Sequence, residues 1–222
     1  MSFLAFLEAI TYISPLLLIV GIFIGCIRFT SIDGVHKMVL LYFLFSLSID
    51  LSSRVLGAYN DYNLILIPLL GFLELLVFSI LYWKYLFKER SMMFFGGIVI
   101  GLSFIVWEIW SIRSIHTTQF QSYSKAVSSL VIIVLSVKYI LQELKKEEEL
   151  DKNRLKLNNI ILLFFSINLV IFLPLNFLIN EQSILKFYFW MANLALTLLF
   201  YALLIHSVWK NGKTAQQLPS GL

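Results

Sequence analysis

The sequence predicts an all-α integral membrane protein, a bundle of seven transmembrane helices with the N-terminus outside and the C-terminus cytoplasmic. Three observations predict it: composition, the spacing of apolar runs and the placement of basic residues. Hydrophobic residues make up 59% of the 222-residue chain and charged residues 14%, with mean hydropathy +0.87. Soluble domains are about a half apolar and about a quarter charged, and a chain this size has no interior large enough to hide the excess. A helix crosses a bilayer with about 20 mostly apolar residues, and seven windows qualify: about 3–27, 36–57, 62–87, 91–112, 121–143, 157–179 and 184–209. Helices rather than open strands follow from the cost of unpaired amides in hydrocarbon, several kcal/mol each.

The first window begins at Phe3 without a basic n-region and continues to Ile27, so it reads as a span and not as a signal peptide. The second, third and fourth are separated by short polar turns such as 57–63, GAYNDYN. A longer charged connector, 142–156, QELKKEEELDKNRLK, follows the fifth. It pairs Lys145 with Glu149 and Glu148 with Lys152 at helical spacing, and reads as a solvated linker or a dock for a cytoplasmic partner. The sixth and seventh windows complete a single domain, 1–209, and residues 210–222 read as a disordered cytoplasmic tail.

Basic residues set the direction of threading. With the N-terminus outside, the inner segments hold Arg28 and Lys37, then Lys84, Lys88 and Arg90, then Lys138, Lys145, Lys146, Lys152, Arg154 and Lys156, and finally Lys210 and Lys213. The outer segments hold Arg54, Arg113, Lys125 and Lys186, so thirteen basic residues face in and four face out. That is a positive-inside pattern, of the kind found in a bacterial inner membrane protein. All five tryptophans fall near predicted helix ends, where amphipathic rings suit the membrane interface. A formal charge of +4 without a continuous basic patch argues against nucleic acid as a partner and leaves membrane lipids as the surroundings.

Charged side chains near a helix centre cost about 2.5–3.5 kcal/mol on insertion scales, so they turn toward protein or water. On the second helix, Ser46, Asp50, Ser53 and Gly57 share one narrow face, and Arg54 follows Asp50 by one turn. On the third, Pro68 precedes Gly71 and Glu74, and a mid-helix proline favours a kink beside a cavity. Glu74 has no basic neighbour on its own helix, which marks it as a candidate proton- or ligand-binding group. Glu8 and Glu108 lie toward the outer ends of their spans, and Asn168, Asn176 and Asn193 add polar groups on the last two helices. Ser129 and Ser136 put a milder stripe on the fifth. These positions predict a polar cavity in the outer half, with Asp50, Arg54, Glu74, Glu108 and Asn193 as ligand-binding candidates. The bland reading is that Asp50 and Arg54 neutralise each other and that the asparagines join helices. The twenty phenylalanines read as lipid-facing and core packing.

Much chemistry is missing. One cysteine, Cys26, allows neither an internal disulfide nor a CxxC metal site. His36, His116 and His206 fit no metal-ligand spacing, no GxSxG occurs, and no serine is visibly partnered with a histidine. The last helix, after Lys186, holds no lysine for a retinal Schiff base. No cofactor or metal is expected, and no catalytic residue is identified.

Two segments carry a resemblance. LLYFLFSLSIDLSSRVLG followed by LILIPLLGFLELLVFSILYWKYLF resembles a group of small, uncharacterised bacterial seven-helix proteins. In these an acidic residue late in the second helix, here Asp50, precedes a central glutamate, here Glu74, and an LLxxxxY run, here Leu75 to Tyr82. FYFWMANLALTLLFYALLIHSVWK is similar to their last helix. The resemblance implies a stand-alone sensory or signalling membrane module; the polar cavity adds a small molecule or lipid as its expected ligand, and without an effector domain of its own such a module needs a cytoplasmic partner to pass the signal on. LFSLSIDL with LGFLELLVFSILYW is more faintly similar to membrane lysoplasmalogenases, which implies ether-lipid hydrolysis as the alternative. Ile49 and Glu74 stand where that family has a glycine and a histidine. A structural subunit of a membrane complex is the third expectation.

Overall fold

Each apolar window folds as a helix. The computed structural model describes residues 10–59, 63–89, 91–112, 122–145, 151–178 and 184–217, and among these there is no strand. The helices are α1 (Ile13–Ile27), α2 (Gly34–Tyr59), α3 (Leu66–Leu81), α4 (Met92–Ile112), α5 (Ser124–Leu144), α6 (Lys152–Leu178) and α7 (Leu185–Gln217). Six of them, α2 to α7, are long and apolar enough to cross a membrane, α3 together with the π-helical turn Tyr82–Leu86 that continues it, and α1 is a shorter apolar helix. The chain is thus an all-α, multi-pass membrane protein. At about 1.5 Å per residue α1 spans about 22 Å, and the expected beginning of its window, with Glu8, lies outside the described residues.

Two expected features are corrected. Pro68 is not mid-helix: a 3-10 turn over Asn63–Ile65 leads into α3, which puts Pro68 in the first α-helical turn, where a missing N–H costs little. The interior proline is Pro174 in α6, which leaves the carbonyl of Val170 without its helical donor. The charged connector lies between α5, which runs to Leu144, and α6, which starts at Lys152, and its expected pairs through Glu148 and Glu149 lie outside the described residues. Asp151 starts α6 by accepting bonds from the N–H groups of Asn153 (3.2 Å) and Arg154 (3.1 Å). Residues 210–217 are helix rather than coil. Arg28 donates to the Trp209 carbonyl (3.3 Å) and the Asp33 N–H donates to Asn211 Oδ1 (3.2 Å), so the turn after α1 holds this end of α7 in place.

The packing order is a ring. α1 lies against α2 and α7, α2 against α3, α3 against α5, α5 against α6, and α6 against α7. α4 stands outside the ring, against α3 and α5. Small residues permit the closest approaches, as expected where lipid gives helices no hydrophobic reason to associate. A Cβ on Gly21 would stand 2.8 Å from the Phe43 ring and 3.0 Å from Ile205, and one on Gly25 would stand 2.6 Å from Leu40. This GxxxG pair, Gly21 and Gly25, is what lets α1 reach α2 and α7.

The interior divides along the membrane normal. At the middle, Phe164 stacks on Phe200 (3.8 Å between centroids, 4° apart), Phe165 meets Phe78 edge-on (5.1 Å, 78°) and Tyr42 leans on Phe78 (5.1 Å). Toward the end carrying the α5–α6 connection, Tyr82 Oη and Ser136 Oγ both donate to Asn158 Oδ1, at 2.7 and 2.9 Å. That buried knot ties the π-helical turn Tyr82–Leu86 to α5 and α6. At the other end the helices part around a cavity.

Candidate functional site

The cavity holds about 690 Å³ and is walled by Tyr42 of α2, Ile67, Leu70 and Glu74 of α3, Lys125 of α5, Phe164, Asn168, Phe172 and Asn176 of α6, and Trp190, Asn193, Thr197 and Tyr201 of α7. Its floor is the aromatic cluster, since Phe164, Tyr42 and Tyr201 belong to both. It occupies the end of the bundle where α2 joins α3, α4 joins α5 and α6 joins α7. The size suits a drug-sized or lipid-derived ligand, and the lining follows the usual pattern of apolar walls with a few polar groups.

One ion pair is set into this wall: Lys125 Nζ donates to Glu74 Oε2, and both residues are buried. Glu74 is therefore not unpaired, as its own helix suggested, but partnered from 51 positions away. Gly71 makes the meeting geometrically feasible, because a Cβ there would lie 3.3 Å from the backbone of Ser124 and Lys125. Without a side chain at 71, the start of α5 sits directly on α3, one turn from Glu74. Lys125 occupies the first turn of α5, where a cation opposes the helix dipole. Two carboxylates offset this, Glu74 beside the ammonium and Glu108 beside the backbone: the Tyr123 N–H donates to Glu108 Oε1 (3.1 Å) and Oε2 (3.2 Å). The Ser122 N–H donates to Asn176 Oδ1 (2.9 Å).

Two amide groups point to a ligand. Asn168 donates through Nδ2 to Asn193 Oδ1 (2.8 Å), yet among the described residues its own Oδ1 has no partner, and neither does Asn176 Nδ2. Both residues are buried and border the cavity. Buried polar atoms are nearly always paired, so one orphan acceptor and one orphan donor beside the same space form an incomplete hydrogen-bonding set.

The expected site residues divide in three ways. Glu74 and Asn193 line the cavity. Asp50 and Arg54 border an adjoining, more open recess of about 530 Å³, together with Ser46, Ser53 and Gly57, so the predicted stripe of α2 does face one space. There Arg54 Nε donates to Asp50 Oδ2 (3.2 Å), Nη2 donates to the Thr11 carbonyl (2.7 Å), and the guanidinium lies 4.7 Å from the centre of the Tyr12 ring. Arg54 therefore also clasps the chain just before α1. Glu108 borders neither space and acts on the backbone at the start of α5. Sequence reasoning missed Lys125, counted only as an outer basic residue, and Asn158, whose partners lie 22 and 76 positions away.

A second cluster lies at the opposite end. Asp33 Oδ1 is 2.6 Å from His36 Nδ1, and His36 Nε2 is 3.0 Å from Ser207 Oγ. The serine partner that no spacing revealed is thus on the last helix. A carboxylate only accepts, so Nδ1 carries a proton; in the neutral ring Nε2 is then the acceptor, and the Ser207 hydroxyl donates to it. Burial works against the Asp33 carboxylate, but hydrogen bonds from the His36 ring and backbone N–H outweigh this and hold its pKa below the ordinary value of 3.8. Among the described residues no cluster of histidine, cysteine, aspartate and glutamate has the form of a metal site.

No family model, curated protein or solved structure matches the chain.

Proposed function

We propose that this protein is a sensory membrane module, threaded with its N-terminus outside in a bacterial inner membrane, that binds a small amphiphile or lipid in the cavity. The observation that carries the reading is the pairing, in one space of about 690 Å³, of apolar and aromatic walls with a buried ion pair and two amides, each with one atom lacking a partner among the described residues. Such a lining suits a ligand with an apolar body and a head that both donates and accepts hydrogen bonds. The head would meet Asn168 Oδ1 and Asn176 Nδ2, and the body would lie against Phe172, Trp190 and the aromatic floor. α5 links this event to the other side: Lys125 is in its first turn, and its last three residues, Gln142 to Leu144, begin the charged connector 142–156. Movement of Lys125 toward or away from Glu74 would shift α5 along its length and alter the surface that a cytoplasmic partner reads.

Native mass spectrometry from a mild detergent tests the binding. The wild type is expected to carry a defined small mass, and Leu70→Trp, which fills the cavity from α3, is expected to lose it while keeping its melting temperature. An empty wild type, or a mass retained by Leu70→Trp, would remove the basis of the reading.

A further inference from the structure

We infer that Asp33, His36 and Ser207 form a hydrolytic centre for carboxylic esters, separate from the cavity and at the opposite end of the bundle. The order of groups is that of an activated nucleophile: a carboxylate fixes the tautomer of an imidazole, whose free nitrogen accepts the proton of a serine hydroxyl. The distances, 2.6 and 3.0 Å, are within hydrogen-bonding reach at both steps. His36 is sealed in the protein, whereas Ser207 is only partly buried. A small hollow of about 30 Å³ borders both residues, room enough for an ester carbonyl or for one water.

The surroundings suit an anionic ester. Lys156 and Lys210 stand at the rim and bring positive charge to the hollow, while Ile160 and Leu203 supply apolar wall for an acyl chain. Asn211, one turn beyond Ser207, also borders the hollow and accepts through Oδ1 from the Asp33 N–H. In the reaction Ser207 Oγ gives its proton to His36 Nε2 and bonds to the acyl carbon. The carbon–oxygen ester bond then breaks, and Nε2 returns the proton to the departing alcohol. Water repeats the exchange on the acyl-serine and releases the carboxylic acid. Asp33 positions the ring and also starts α2 by accepting from the His36 N–H (3.0 Å), so a purely structural tie between α2 and α7 is the competing account.

The full-length protein in mild detergent micelles tests this with a fluorophosphonate probe and with lysophosphatidylglycerol as the ester. The wild type is expected to be labelled at Ser207 and to release fatty acid. Ser207→Ala is expected to lose both at least a hundredfold, while Ser14→Ala keeps both. Asp33→Asn is expected to lower kcat at least tenfold with KM unchanged, which a structural tie would not do. Absent labelling, or labelling and fatty-acid release that survive Ser207→Ala, would overturn the inference. Retention of a cavity-bound mass bears on the other site alone, so the two readings stand or fall separately.

Discussion

Glu74 and Lys125 set the strongest constraint at the scale of single residues. Removing one partner of a buried pair leaves a stranded charge at a cost of about 3–5 kcal/mol, while replacing both with apolar or neutral groups is often nearly neutral. Glu74→Gln and Lys125→Met are therefore each expected to destabilise the fold by about that amount, and the double variant to recover most of the loss. Equilibrium unfolding in mixed micelles measures this, and simple additivity would show that the two groups share no interaction. Asp33 makes a pH-dependent contribution. Because its folded pKa is lowered, its stabilisation is complete above the unfolded value of 3.8 and fades as pH falls through the lower folded value. Wild type is expected to exceed Asp33→Asn in Tm at pH 7, with the gap narrowing once pH drops below 3.8; a gap independent of pH would contradict this. The sequence revealed these residues unequally. Asp50–Arg54 was legible because a helix brings positions four apart together. Glu74–Lys125 and His36–Ser207 were not, because 51 and 171 positions separate the partners and only helix packing order unites them.

Among the elements, α1 and α4 make a contrast in glycine. Gly21 packs directly on Phe43 and Ile205, whereas a Cβ on Gly96 of α4 would meet nothing within 4 Å. Gly21→Val is expected to cost about 1–3 kcal/mol through overpacking, and Gly96→Ala to gain up to about 1 kcal/mol by favouring the helix. Thermal unfolding of the two variants decides, and equal effects would mean that α1 is not seated as described. In the π-helical turn after α3, Tyr82→Phe removes one donor from the Asn158 knot and is expected to cost about 0.6–1.7 kcal/mol, the range for hydrogen bonds between membrane helices. The helices themselves were legible because lipid demands long apolar runs. Their ends were less so: Pro68 falls in a first turn and α7 reaches Gln217, and both depend on neighbouring chain that no apolar count records.

The whole molecule raises the question of direction. In a Cys26→Ala background, the proposed threading puts a cysteine at Tyr59, the exposed end of α2, outside, and one at Lys210 inside. A membrane-impermeant maleimide applied to intact cells is expected to label the first and spare the second until the membrane is opened. Reversed labelling would invert the orientation and put the charged connector outside. The ring also has a bearing on biogenesis. Helices enter the bilayer in chain order, yet the cavity needs both α2, among the first, and α7, the last, and α1 rests on α7 as well. Trp190, Asn193, Thr197 and Tyr201 arrive only with that final span. Until then Glu74 and Lys125 face an open cleft that lipid tails or water can enter, so a nascent chain stalled before α7 presents a charged seam to quality control, and the cavity is complete only once α7 is inserted.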